Sequence, residues 1–134
     1  MDWRRSLVCF AASSTAAVAG YAAVRLAQWP HNAISVSNWA DFAIIGFLGY
    51  ALVPAAVLAL VALRRAPTPA WALAVCVGWL ATLFALRAWL PVHHDGAMAW
   101  WMFERDFLHF LPVPLAAAVA ASVAARAVTP RCAA

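Results

Sequence analysis

The chain has no lysine and a single glutamate. Nine arginines, four aspartates and that glutamate carry all of its formal charge, 10% of 134 residues, while 67% are hydrophobic. Soluble domains are about 25% charged, so too few charges exist here to coat a water-facing surface around so much apolar mass. The net charge of +4 comes from arginines scattered from Arg4 to Arg131 and not gathered into one basic run, which excludes a nucleic-acid partner. Hydrolase-like Ser, His and Asp order, paired protease-like aspartates, a phosphate-binding glycine loop and an internal repeat are all missing. The chain reads as a single integral membrane domain, residues 1–134.

A hydrocarbon core of roughly 30 Å needs about 20 apolar residues of helix to cross it. Four such runs are present, at about 7–27, 39–63, 71–90 and 107–128. Lipid cannot satisfy backbone polar groups, and runs of this length without alternation are helical. The expected fold is therefore all-α, an integral membrane four-helix bundle. Ser37 or Asn38 is placed to cap the second helix, and Arg64 and Arg65 to meet the negative end of its dipole before Pro67 and Pro69 stop it. The brief linker, residues 66–70, makes the second and third helices antiparallel neighbours. Ala16, Gly20, Gly46 and Gly49 offer small surfaces for close helix approach. Pro54 predicts a kink in the second span, and Pro112 with Pro114 one near the start of the fourth, which the turn at 107–111 must complete to reach across.

With the N-terminus in the cytoplasm, Arg4, Arg5, Arg64, Arg65, Arg126 and Arg131 lie inside, and Arg25, Arg87 and Arg105 outside. The positive-inside rule selects that orientation, with both termini cytoplasmic. Trp29, Trp39, Trp89, Trp100 and Trp101 then mark the outer interface, Trp3 and Trp71 the inner one, and Trp79 a deep packing position. The first span has a basic start and a small-residue pattern at Ala17 to Ala19 as a secretory signal would, but its apolar run continues to Ala27, so it reads as a retained span. Abundant Ala and Arg without Lys suggest a G+C-rich bacterial genome and hence a multi-pass inner-membrane protein. Cys9, Cys76 and Cys132 fall in the cytoplasmic half, which argues against structural disulfides and against outer-side thiol oxidation.

The central parts of the spans carry no Asp, Glu, Arg or His, which speaks against an ion-coupled transporter. Ser13, Ser14, Thr15, Tyr21, Tyr50, Thr82 and Ser122 are expected to bond to helix carbonyls or neighbouring helices. Candidate chemistry collects on the outer side. Asp106 and His109, three residues apart on one helix face, could join His93 or His94 as oxygen and nitrogen ligands of a divalent metal. Structural ion pairs between Arg25 or Arg87 and Asp41, Glu104 or Asp106 would instead fix the order of the helices, with snorkelling of the arginines as the competing account. The apolar 97–103 segment reads as an interfacial anchor, or as an aromatic lining for a hydrophobic ligand.

On balance no cofactor is expected. The leading expectation is a non-enzymatic accessory or interaction subunit whose outer loops meet membrane lipid or another membrane or periplasmic protein. The alternatives are a membrane enzyme or cofactor carrier with a metal, haem or quinone site at His93, His94, Asp106 and His109, and a small transporter.

Overall fold

The computed structural model describes residues 1–28, 36–89 and 107–128, the side chains of residues 28, 36–38, 42 and 87–89 excepted. Its elements are α1 (Trp3–Gln28), α2 (Val36–Ile45), a π-helical stretch (Gly46–Ala51), α3 (Leu52–Ala62), α4 (Pro69–Trp89) and α5 (Pro112–Val128). No strand occurs among the described residues. A helical turn at 107–110 precedes α5, and α2, the π stretch and α3 follow one another without a break. Among the described residues four spans are long and apolar enough to cross a bilayer: Trp3–Ala27, Trp39–Ala62, Pro69–Leu86 and Phe107–Val128. The chain is an all-α, four-helix membrane bundle, within a few residues of the expected boundaries.

Lipid offers no hydrophobic reward for bringing helices together, so close dispersion contact between small residues must do so. α1 packs most extensively on α5 and also touches α2, the π stretch and α3. A Cβ on Gly20 would stand 3.2 Å from the Val113 Cα, and the Cys9 thiol reaches the Ala121 carbonyl at 3.9 Å. These two contacts fix an antiparallel seam. On α5 its inward face carries Val113, Ala117, Ala121 and Ala125, four residues apart, with Ala118 and Ser122 beside them. Gly46 is the second close approach, because a Cβ there would meet Tyr21 Cδ1 at 3.1 Å. Gly49 differs from expectation: nothing lies within 4 Å of the Cβ it lacks.

Each proline disturbance takes a specific form. Pro54 has no N–H for the carbonyl of Tyr50, four residues back, or of Gly49, five back. The chain widens into the π stretch just before it, closed by the Leu52 N–H on the Phe47 carbonyl. The Trp79 indole, on α4, donates to the Gly49 carbonyl at 2.9 Å. Trp79 is therefore more than packing: it supplies a donor where proline withholds one. In the fourth span the helix stops and restarts. Leu111 N–H bonds to the Leu108 carbonyl at 3.4 Å, and Pro112 and Pro114 occupy the first turn of α5, where a missing N–H costs little.

At the opposite end, α1 is tied to α3. Asp2 caps α1, its Oδ1 accepting from the Arg5 N–H at 3.0 Å, and its own N–H donates to the Leu63 carbonyl at 2.9 Å. Arg5 Nε donates to the Ala62 carbonyl at 2.7 Å, and the Ser6 hydroxyl to that of Ala59 at 2.8 Å. The expected dipole partners Arg64 and Arg65 are exposed. Arg5, arriving from another helix, bonds to one of the carbonyls at that helix end, that of Ala62. Thr68 starts α4 by accepting from the Trp71 N–H at 3.3 Å, with Pro69 as first residue. α2 is already helical at Val36, which puts Ser37 and Asn38 inside its first turn and not at its cap.

The hydroxyls of Ser14, Thr82 and Ser122 donate to the carbonyls of Phe10, Gly78 and Ala118 at 2.7–2.8 Å, within their own helices. Ser13 differs, its buried hydroxyl having no hydrogen-bond partner among the described residues. Cys9 and Cys76 are buried free thiols. Cys132 lies outside the described residues.

Two glycines separate seam packing from generic helix propensity. Gly20→Val drives a branched side chain into the α5 backbone and should cost about 1–3 kcal/mol, whereas Gly78→Val, where nothing stands within 4 Å, should leave stability unchanged or raised. Thermal unfolding in detergent reads both. Equal effects would contradict the seam.

Candidate functional site

The end of the bundle away from Asp2 is built on stacked rings. Tyr21, one turn beyond Ala17 on the inward face of α1, is almost fully buried, and its ring lies on Gly46 because no Cβ intervenes. Tyr50 comes from the π stretch and Phe110 from the turn at 107–110. Their three rings are near-parallel: Tyr21 to Tyr50 at 4.8 Å and 29°, Tyr50 to Phe110 at 5.5 Å and 14°, Tyr21 to Phe110 at 5.8 Å and 24°. Phe84 of α4 meets Phe110 at 5.8 Å and Phe107 edge-on at 6.3 Å. Aromatic pairs in such geometries add about 0.5–1.5 kcal/mol each beyond burial. All four spans are thereby fastened at this end.

Arg25, four residues after Tyr21 on α1, closes over the stack. Its Nε donates to the Tyr21 hydroxyl at 3.0 Å, and its guanidinium carbon stands 5.3 Å from the Tyr21 ring centroid and 5.5 Å from that of Phe110. The negative faces of two rings attract the cation where water is scarce. Phe110 is buried, while its neighbours Leu108 and His109 are exposed. The turn at 107–110 thus inserts a phenyl ring into the bundle and turns an imidazole outward.

Of the proposed metal ligands, His109 is the one whose placement is described, on that exposed surface. His93, His94 and Asp106 lie outside the described residues, and among the described residues no group of three His, Cys, Asp or Glu comes together. For the ion pairs, Arg25 is seated on the aromatic stack, Asp41 is exposed on α2, Arg87 is in the last turn of α4 with its side chain outside the description, and Glu104 and Asp106 lie outside it. So does the 97–103 segment. The described ion pair is Asp2 with Arg5, at 3.6 Å. The aromatic seat of Arg25 was missed, although Tyr21 and Arg25 at i and i+4 was a legible signal, as was Phe107 with Phe110 at i and i+3.

An open groove of about 490 Å³ runs between α1 and α2, lined by Ser14, Thr15, Val18, Ala19, Trp39 and Phe47 among others. A small space of about 10 Å³ lies among Tyr50, Pro54, Cys76, Trp79 and α5, close to the size of a single water.

The Arg25 seat is testable by a double-mutant cycle on unfolding in detergent. Tyr21→Phe removes one hydrogen bond to a charged group and should cost about 1.5–3 kcal/mol. Arg25→Met keeps the stem and loses the charge. Because each change removes the same contact, the double variant should cost less than the sum of the two. Strict additivity would mean that the guanidinium does not couple to the hydroxyl.

No protein family, curated protein or solved structure matches the chain.

Proposed function

We propose that this is a multi-pass protein of a bacterial inner membrane, with both termini in the cytoplasm and the first span retained. It acts there as a non-enzymatic accessory or interaction subunit, and its outer loops contact membrane lipid or another membrane or periplasmic protein. The observation that carries this reading is how the described polar groups are spent. Arg25 and Tyr21 serve the aromatic stack, Arg5 and Ser6 satisfy α3 carbonyls, and Ser14, Thr82 and Ser122 bond within their helices. Such a bundle is a scaffold that leaves the loops for recognition. Retention of the first span is supported by the packing of α1 on α2, α3 and α5, since its removal would strip the bundle of its central seam. The orientation is supported by the arginine count at the two ends.

Cysteine labelling in intact cells tests the topology. Thiol probes that cross no membrane should miss cysteines introduced at 66–70 and reach those at 93–96. The reverse pattern would overturn the orientation and move all four histidines into the cytoplasm.

The competing reading, a metal, haem or quinone site at His93, His94, Asp106 and His109, is favoured by the outward position of His109 next to the bundle end. Purified protein should carry neither stoichiometric metal nor a haem or quinone absorption band. A stoichiometric cofactor that His109→Ala removes would replace the accessory reading with the cofactor one.

A further inference from the structure

We propose that the end of the bundle formed by the start of α1, the turn after α3 and the end of α5 is a binding site for the phosphate of an anionic phospholipid headgroup. The fold gathers arginines there that are far apart in sequence. Asp2 N–H on the Leu63 carbonyl, at 2.9 Å, sets the start of α1 beside the residue that precedes Arg64 and Arg65. The Cys9 contact with Ala121 sets the register of α5. Arg4 lies five residues before Cys9 and Arg126 five after Ala121, so each extends about 7.5 Å beyond that contact along the antiparallel pair, to the same level. Arg4, Arg64, Arg65 and Arg126 are all exposed. Among the described residues their side chains make no hydrogen bond or ion pair. The carboxylate at this end, Asp2, is already engaged by Arg5.

Four exposed guanidinium groups from three elements, with the nearby acid consumed, form a concentrated positive surface. A guanidinium matches the oxygens of a phosphate through paired N–H bonds. The depth selects the source of that phosphate. The arginines sit at the ends of membrane-spanning helices, and exposed Trp3 and Trp71 lie at the same end, a position indoles take at headgroup level. Clustered arginines immediately beside spanning helices are the usual footprint of anionic lipid recognition. Zwitterionic lipid offers the same phosphate, but its choline adds a positive charge that this surface repels. The inference stands apart from the accessory-subunit reading, and vesicles of the same lipid in both leaflets make its test independent of orientation.

The test uses the full chain in vesicles of pure phosphatidylcholine and of phosphatidylcholine mixed with phosphatidylglycerol, with native mass spectrometry of retained lipid and the unfolding midpoint as readouts. Phosphatidylglycerol should be retained in preference and should raise the midpoint. The preference should fall about tenfold or more in the Arg64→Gln/Arg65→Gln variant and weaken in high salt. Arg4→Gln/Arg126→Gln should lower it as well, which keeps the test open if one variant folds poorly. Equal retention of the two lipids, or a preference that survives both double variants, would overturn the site. Inorganic phosphate added to phosphatidylcholine vesicles should not raise the midpoint; if it does so as fully as the anionic lipid, the ligand is free phosphate and the lipid assignment fails.

Discussion

The bundle depends on how closely α1 can lie against α5. Inside a bilayer the surrounding medium is as apolar as the helices, and association draws on dispersion, which loses about a quarter to a half of its strength over a gap of roughly 0.5–1 Å. A bulky seam would hold the two backbones apart. Gly20 against the Val113 Cα and the alanines spaced by four on α5 remove that obstacle. Once α1 is seated, α3 is drawn to it through Asp2, Arg5 and Ser6, and the π stretch through Tyr21 resting on Gly46. α4 enters more loosely, through Trp79 and Phe84, and carries the smallest buried share of the four spans.

The second span shows how a proline is absorbed without breaking a membrane helix. Gly46 and Ala51 are both buried and lie five residues apart, one π turn, after which Ala55, Leu58 and Ala62 follow at ordinary α spacing. The wider turn shifts the phase of the helix, so that Gly46 before it and Leu58 after it both face inward. It also sets Tyr50 against Tyr21 and Phe110. The fourth span solves the same problem by interruption, and its break at Leu111 leaves the preceding turn free to deliver Phe110 into the stack. Two proline disturbances therefore converge on one aromatic cluster.

The spans were legible because hydrocarbon thickness dictates their length and the polar punctuation between them is sparse. The prolines marked where regularity fails, but the form of each failure depends on partners distant in sequence: Trp79 lies thirty residues from the Gly49 carbonyl it satisfies. Arg64 and Arg65 follow α3 as its dipole favours, and Arg5 adds a direct bond to the Ala62 carbonyl that sequence proximity could not reveal, because packing of α1 brings it there from the side. Arg25 was offered to Asp41, Glu104 or Asp106 by charge, and of these Glu104 and Asp106 lie outside the described residues. The hydroxyl partner of Arg25, Tyr21, sits four residues before it on the same helix, within reach of sequence reasoning, but the Phe110 face depends on where a helix restarts five elements later. Of the metal quartet, His109 occupies a helical turn; His93, His94 and Asp106 lie outside the described residues.

The two ends of the bundle treat their arginines in opposite ways. At the aromatic end Arg25 is folded onto two ring faces and a hydroxyl, so its charge is used internally and its position is fixed by four spans. At the other end, among the described residues, Arg5 is partly buried and engaged by the Ala62 carbonyl and Asp2, while Arg4, Arg64, Arg65 and Arg126 are exposed. Positive charge near a helix C-terminus gains from the dipole, which accounts for Arg126 and for the pair after α3, yet that gain is screened and amounts to about 0.3–1 kcal/mol at exposed positions. It explains why arginines are tolerated there but not why four make no hydrogen bond or ion pair among the described residues of a chain this poor in charge. Their common level, set by the register of the α1 and α5 seam, ties the surface chemistry of that end to the packing of small residues at the centre of the bundle.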